Sequence, residues 1–247
     1  MRRQLATVDL IEYDTDMFVI SLGGSIVVPD AIDTEFVAAF ADLAIRHVRE
    51  QDRRLIVIVG GGAPARRYQE AYRTIRGAHS TDTHSDAQDW IGIMATRLNA
   101  ELLRHALHPY CVDPVVYDPT ADIAFAGSIL VGAGWKPGFS TDNDAVLLAE
   151  RFGADTVVNL SNIKQVYTAD PKVDPDARPL ESVSWDEFRT IVGDEWIPGK
   201  NLPFDPVATR RAAELGMRVI AADGKDLTNT EAILTGRSFI GTVIGPY

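Results

Sequence analysis

Two short apolar runs in this chain each stop in clustered glycines, and that pairing limits the fold more than any other feature. Phe18-Val19-Ile20-Ser21-Leu22 runs into Gly23-Gly24-Ser25, and Leu55-Ile56-Val57-Ile58-Val59 runs into Gly60-Gly61-Gly62. Short β-branched runs bounded by glycine read as buried strands. Glycine has no Cβ, so backbone N–H groups at such a turn can approach an anion closely. A helix that follows adds its positive N-terminal end. Two such turns in the first quarter of the chain point to two phosphate-bearing ligands meeting at one edge of a sheet.

The rest of the chain alternates in the same way. Asp33 or Thr34 caps a helix carrying Phe36, Val37, Phe40, Leu43, Ala44 and Val48 at helical spacing. A second helix is expected from about Ala65 to Arg76, a polar loop over 77–88, and a long helix from Asp89 to about Leu107. Strands are expected at Cys111–Val116, Ser128–Val131, Thr156–Leu160, Met217–Ala222 and Thr242–Ile244. Further helices are expected at Asp142–Phe152, Trp185–Val192, Asp205–Leu215 and Leu227–Leu234. Strands alternating with helices imply right-handed βαβ units. The expected fold class is α/β, a three-layer α/β/α sandwich with a largely parallel central sheet. Ligands in such sheets lie beyond the carboxyl ends of the strands, where the glycine loops fall. Residues 1–16 read as an extension, and one continuous fold divides near 150–155 into lobes 17–152 and 153–247.

With 247 residues and a net charge of −11, the chain is acidic. That argues against general nucleic-acid binding and against an anionic membrane surface. Phosphates must then be held by local cations and backbone amides, helped by a divalent metal carried on the ligand. Cys111 is the only cysteine, so no intrachain disulfide and no cysteine-based zinc site is possible. It sits in an apolar stretch and reads as a buried structural thiol. No apolar run approaches the ~18 residues of a membrane helix. No signal-peptide core follows Met1-Arg2-Arg3, so a cytoplasmic location is expected.

Several segments could carry chemistry. Arg66 lies one turn into the helix after Gly60-Gly61-Gly62, where it could fold over a bound phosphate. The run Gly132-Ala133-Gly134-Trp135-Lys136-Pro137-Gly138-Phe139-Ser140-Thr141-Asp142 supplies glycine amides, two hydroxyls, a lysine and a carboxylate where a helix begins. A helix cap explains Ser140 or Thr141 but not the rest. Ser161-Asn162 follows a strand, and Tyr167 and Asp170 could stack on a base and accept from a ribose. The His79–Asp89 stretch matches no zinc spacing. No lysine follows the glycines as in a P-loop, and there is no Gly-x-Ser-x-Gly elbow.

Taken together these segments resemble the amino-acid kinase superfamily, and most closely the archaeal-type UMP kinases. The resemblance rests on Leu22-Gly23-Gly24-Ser25, Val59-Gly60-Gly61-Gly62 through Arg66, Asp89-Trp90-Ile91-Gly92-Ile93 with Ala95-Thr96-Arg97-Leu98-Asn99-Ala100, Pro137-Gly138 with Ser140-Thr141-Asp142, Ser161-Asn162 and Val166-Tyr167-Thr168-Ala169-Asp170-Pro171. It implies transfer of the γ-phosphate of ATP to UMP, giving UDP. It implies that Gly23, Gly24, Ser25 and Gly62 touch ATP phosphates beside Arg66. Ser161, Asn162, Tyr167 and Asp170 would hold the adenosine. Gly61 and Asp89 would contact UMP, and the loop of Trp135, Lys136, Pro137, Gly138, Phe139, Ser140 and Thr141 would hold its uracil and phosphate. Arg66, Lys136, Lys164 and Asp205 would be the catalytic positions. Lobe 17–152 would bind the acceptor and lobe 153–247 ATP. Mg²⁺ would arrive with ATP rather than on a protein-built metal site. The chain would assemble as a homohexamer, a trimer of dimers.

Three positions depart from the family pattern. Ser21 stands where much of the superfamily has a lysine; archaeal-type UMP kinases lack it as well, so the position fits that subfamily and leaves Lys136, Lys164 or Lys200 to supply the charge. Lys164-Gln165 replaces an acid and a glycine in the donor segment, so altered donor binding is expected there. Residues 193–204 lack the expected glycine- and serine-rich stretch. Two other readings remain: a different phosphotransferase of the superfamily, and a nucleotide-binding homologue with impaired chemistry.

Overall fold

The computed structural model describes residues 5–13, 15–76, 84–193 and 202–246. Its sheet of seven strands uses β2 (Met17–Leu22), β3 (Arg54–Val59), β4 (Ile129–Gly132), β5 (Thr156–Ser161), β6 (Ser182–Val183), β7 (Arg218–Asp223) and β9 (Thr242–Ile244), in the order β4-β3-β2-β5-β7-β9-β6. The first five in that order are parallel, β9 runs antiparallel to β7, and β6 is parallel to β9. A separate antiparallel pair joins β1 (Thr7–Val8) to β8 (Phe239–Ile240).

Strand alternation sorts the core into two layers, because successive side chains point to opposite faces. Phe18, Ile20 and Leu22 of β2 join Leu55, Val57 and Val59 of β3 under helices α1 (Gly24–Val27), α2 (Thr34–Glu50), α4 (His84–Ala106) and α8 (Leu227–Leu234). Val19, Ile56 and Ile58 face the other way, toward α5 (Thr141–Phe152), α6 (Trp185–Val192) and α7 (Pro206–Glu214). Burial on both faces suits the near-continuous apolar runs of β2 and β3. The expected three-layer sandwich is therefore present. Its sheet is continuous across 150–155, because β5 pairs with β2. Among the described residues no helix is long and apolar enough to cross a membrane.

Several local expectations need correction. Helix α3 (Gly62–Arg76) begins at the last glycine of its turn rather than at Ala65. Helix α4 begins at His84, so Asp89 lies in its second turn and does not open it; Asp86 is the acid of the first turn, where the helix dipole favours it. The intervening 77–83, with His79 and Asp82, lies outside the described residues. Cys111–Val116 is not a strand, and only Val116 bridges to Gly132. Pro114 has no amide for a ladder. The neighbouring Asp113 carboxylate draws the amides of Ala126 and Gly127 to itself at 2.8 and 2.9 Å. The 1–16 extension is partly built into the fold, since Val8 is fully buried and β1 pairs with β8. Cys111 is a buried free thiol, and burial pushes its pKa up to about 11.

Candidate active site

Strands β2, β3, β4 and β5 are adjacent and parallel, so their carboxyl ends deliver four loops to one edge of the sheet. The order reverses about β2, and such reversals open the ligand crevice of α/β sheets.

The two glycine turns pack against each other. A Cβ on Gly24 would stand no farther than 2.6 Å from backbone atoms of Gly60, Gly61 and Gly62. Gly62 itself has φ +65°, a left-handed conformation that favours glycine. Part of the glycine clustering therefore serves contact between turns. Internal hydrogen bonds take up the amides of Gly23, to Leu160 O at 2.8 Å, and of Gly60, to Leu22 O at 2.9 Å. Gly24 and Gly62 are buried, whereas Gly23, Ser25 and Gly61 keep partial exposure at the crevice. Arg66 ties the turns together, its Nη1 donating to Ser25 Oγ at 2.9 Å, and it remains exposed.

Helix α4 organises the acceptor side. The amide of Gly138 donates to Asp89 Oδ2 at 2.9 Å, which joins the two segments most specific to the UMP kinase resemblance. Thr96 Oγ1 accepts from Gly134 N at 2.8 Å, and Arg97 donates to Trp135 O at 3.2 Å. Asn99 Nδ2 donates to Gly60 O at 2.8 Å and to Gly61 O at 3.3 Å. One helix face thus holds both the second glycine turn and the Trp135–Thr141 loop. Thr96, Arg97 and Asn99 were not singled out from the sequence as site residues, although their spacing to Asp89 was readable as a helix stripe. In the loop, Trp135 and Phe139 lie with ring centroids 4.9 Å apart, and Lys136 Nζ sits 3.7 Å from the Trp135 centroid. Pro137 lies in the turn between them. Ser140 caps α5, its Oγ accepting from Asn143 N at 3.2 Å, and Thr141 is the first residue of that helix.

Beneath this loop lies a group of carboxylates. Ser21 Oγ donates to Asp142 Oδ1 at 2.6 Å, so the side chain at the position of the absent lysine is already engaged. The amide of Asp205 donates to Asp142 Oδ2 at 3.3 Å. Asp205 caps α7, accepting from Val207 N and Ala208 N at 2.8 and 2.9 Å. Asp144 Oδ2 accepts from Trp135 N at 3.1 Å. Burial pushes Asp142 up to about 6 and Asp144 up to about 7, with neighbouring carboxylates adding to both shifts. Burial raises Asp205 as well. These oxygens suit a hard divalent cation chemically. Among the described residues, however, no three His, Cys, Asp or Glu side chains are grouped to hold one.

The raised values have a stability consequence. A carboxyl whose pKa is higher folded than unfolded keeps its proton in the folded state while the unfolded chain has already lost it. The contribution is full below pH ~4 and disappears as pH rises through the folded values, about 6 and 7. Asp144→Asn mimics the neutral acid. In ligand-free melts the variant is expected to match the wild type near pH 4, to exceed it already at pH 5, and to exceed it by about 10 °C at pH 8. Parallel wild-type and variant curves from pH 5 to 8 would overturn this.

On the donor side, Ser161 and Asn162 follow β5. Ser161 Oγ accepts from Ile163 N at 3.2 Å, a local turn, and Asn162 is exposed. Tyr167 bridges to Pro179, and Asp170 Oδ1 accepts from Lys172 N at 2.9 Å. Lys164 is exposed, and Lys200 lies outside the described residues. Gln165 is fully buried and bonded to Ala6 and Gly241, so the structure gives this departure a role in packing. Lys225, which no sequence motif marks, follows β7 and donates to Asp33 Oδ2 at 2.6 Å.

A family model for the amino acid kinase family matches residues 16–223. The chain belongs to the amino acid kinase family. A uridylate kinase of Methanospirillum hungatei JF-1 is 37% identical over 229 residues, 92% of this chain and 93% of that protein. Among solved structures, uridylate kinase from Archaeoglobus fulgidus superposes with a TM-score of 0.76 at 32% identity, covering 92% of this chain and 99% of that one. UMP kinase from Bacillus anthracis has a TM-score of 0.72 at 17% identity, covering 93% and 96%, and shares the fold.

Proposed function

We propose that the chain is a UMP kinase, transferring the γ-phosphoryl group of ATP to UMP to give UDP in pyrimidine nucleotide synthesis. The observation that carries this reading is the Gly138–Asp89 hydrogen bond, which ties the Trp135–Thr141 loop to the helix whose Asn99 also holds the second glycine turn. Similarity to uridylate kinases over nearly the whole chain supports it.

Each residue has a part in this reading. Asp89 accepts from the UMP ribose, with Gly61 beside it. Trp135 and Phe139 flank the uracil, while Lys136, Pro137, Gly138, Ser140 and Thr141 enclose the phosphate. Gly23, Gly24, Ser25 and Gly62 line the ATP phosphates, and Ser161, Asn162, Tyr167 and Asp170 the adenosine. Lobe 17–152 presents the acceptor and lobe 153–247 the donor. The acceptor oxygen is already ionised, so positioning and charge neutralisation do the chemistry. Arg66, Lys136 and Lys164 are the cations available to the transferring group. Asp205, engaged in capping α7, acts by positioning. Mg²⁺ carried by the triphosphate would supply Lewis-acid neutralisation of the phosphates, with no protein-built metal site required. Cytoplasmic location fits these substrates. The test is a coupled assay with Mg-ATP and a panel of nucleoside monophosphates. UDP formation from UMP alone supports the reading, and binding of UMP without turnover overturns it.

The chain would act as a homo-oligomer, a hexamer built from dimers. Helix α4 carries Trp90, Met94, Leu98 and Leu102 every fourth residue, with Met94 58% and Leu98 72% exposed. The stripe is about 18 Å long. Its occupant is a second copy of α4, antiparallel across a two-fold axis. That arrangement sets the acid of the first turn, Asp86, against the bases of the last, Arg104 and His105. Glutamate at Leu98 should convert dimers to monomers by light scattering. A wild-type protein that is monomeric at micromolar concentration would rule the pairing out.

A further inference from the structure

We infer that Gln165 is a positioning residue for the donor, acting by clasping the donor loop to the N-terminal strand. This rests on the reading of 161–170 as the ATP-binding segment. Gln165 is fully buried, three residues after Asn162 and two before Tyr167. Its Nε2 donates to Ala6 O and to Gly241 O, each at 2.8 Å, and its Oε1 accepts from Ala6 N at 2.9 Å. One side chain thus replaces a strand partner for Ala6 and joins three segments distant in sequence.

The surrounding contacts make this a fixed point. Val166 N donates to Thr242 Oγ1 at 2.9 Å, Thr242 Oγ1 donates to Leu180 O at 2.6 Å, and Leu180 N donates to Val166 O at 2.9 Å. On the other side the N-terminal segment is anchored between Ala6 and Tyr13. Thr7 and Val8 pair with Ile240 and Phe239, and Val8 is fully buried. Ile11 N donates to Gly236 O at 3.1 Å, and the Tyr13 ring meets Phe18 edge-on at 4.8 Å. The segment runs from the donor loop to the start of β2 as a strap. Tyr167 is held on its far side, by its bridge to Pro179 and by Thr168 N donating to Arg178 O at 2.9 Å, whereas Asn162 is exposed and Gln165 is the buried anchor between the two. Immobilising Gln165 fixes the backbone between them. The departure at this position therefore serves the donor site from outside it.

The experiment compares Gln165→Leu, which keeps volume and loses all three hydrogen bonds, with Ala6→Pro, which removes the donor to Oε1, keeps the Ala6 carbonyl that accepts from Nε2, and fixes φ at that residue. Steady-state kinetics are measured separately for ATP and UMP. Ala6→Pro is expected to raise the KM for ATP about tenfold, the scale of one hydrogen bond lost from positioning, and Gln165→Leu by at least as much, with kcat and the UMP KM within about twofold. Variants must melt cooperatively, and Ala6→Pro alone decides if Gln165→Leu does not fold. An unchanged ATP KM, or equal changes for both substrates, overturns the proposal. If the wild type does not phosphorylate UMP, the kinase reading fails, and equilibrium binding of Mg-ATP decides the clasp. There a roughly tenfold weaker Kd supports it and an unchanged Kd overturns it.

Discussion

Alanine at Gly24 is expected to lower the unfolding free energy by about 3 kcal/mol and to remove most activity. The added Cβ would lie no farther than 2.6 Å from backbone atoms of Gly60, Gly61 and Gly62. Backbone cannot rotate aside as a side-chain tip can, so one turn must move. Ser25 is held to Arg66 across the same contact, and Asn99 holds the carbonyls of Gly60 and Gly61. Movement of either turn therefore reaches both substrate sides. The control is Gly138→Ala. Gly138 has φ +81°, but nothing lies within 4 Å of its would-be Cβ, so only local strain of about 1 kcal/mol is expected. Denaturant unfolding separates the two. If Gly24→Ala is no less stable than Gly138→Ala, the close packing of the turns is not what requires glycine.

The second large effect belongs to Arg66. Replacing it by methionine keeps the aliphatic stem and removes the charge. Because Arg66 is exposed and its strongest contact is the hydroxyl of Ser25, stability should change by less than about 0.5 kcal/mol. The rate should fall far more, by about 10²–10³ in kcat, since a fixed cation at the transferring phosphate acts chiefly in the transition state. The protein has little spare positive charge there. Ser21 is uncharged and donates to Asp142, and three carboxylates with raised pKa lie nearby. A kcat within about tenfold of wild type would show that another cation, Lys136 or Lys164 first, carries the charge.

Strands β2, β3, β5 and β9 and helices α2, α6 and α8 were legible within a residue or so, because each has an unbroken period or a cap. Cys111–Val116 was misread because apolar content alone does not reveal that Pro114 and Asp113 withdraw it from the ladder. Asp89 reads from the sequence as a UMP contact that opens a helix, but the first turn of that helix lies at His84, and the Asp89 carboxylate accepts from Gly138 N, a pairing no local pattern announces. Gln165 was read as an intrusion into the donor site, yet it is buried against Ala6 and Gly241. A contact spanning 159 residues leaves no local trace in the chain.

By itself, then, the sequence determined the α/β class, the places where strands end in glycine turns, the helix caps and the family. These are properties of short windows, set by side-chain periodicity and by residues that permit or forbid a backbone conformation. Only the tertiary structure decided what the glycines are for and which polar groups meet. Gly24 is a glycine because another turn passes within contact distance, and Asp142 and Asp144 have raised pKa because folding encloses them together. Both depend on distances between segments far apart in the chain, and those distances exist only once the sheet has brought its strand ends to one edge.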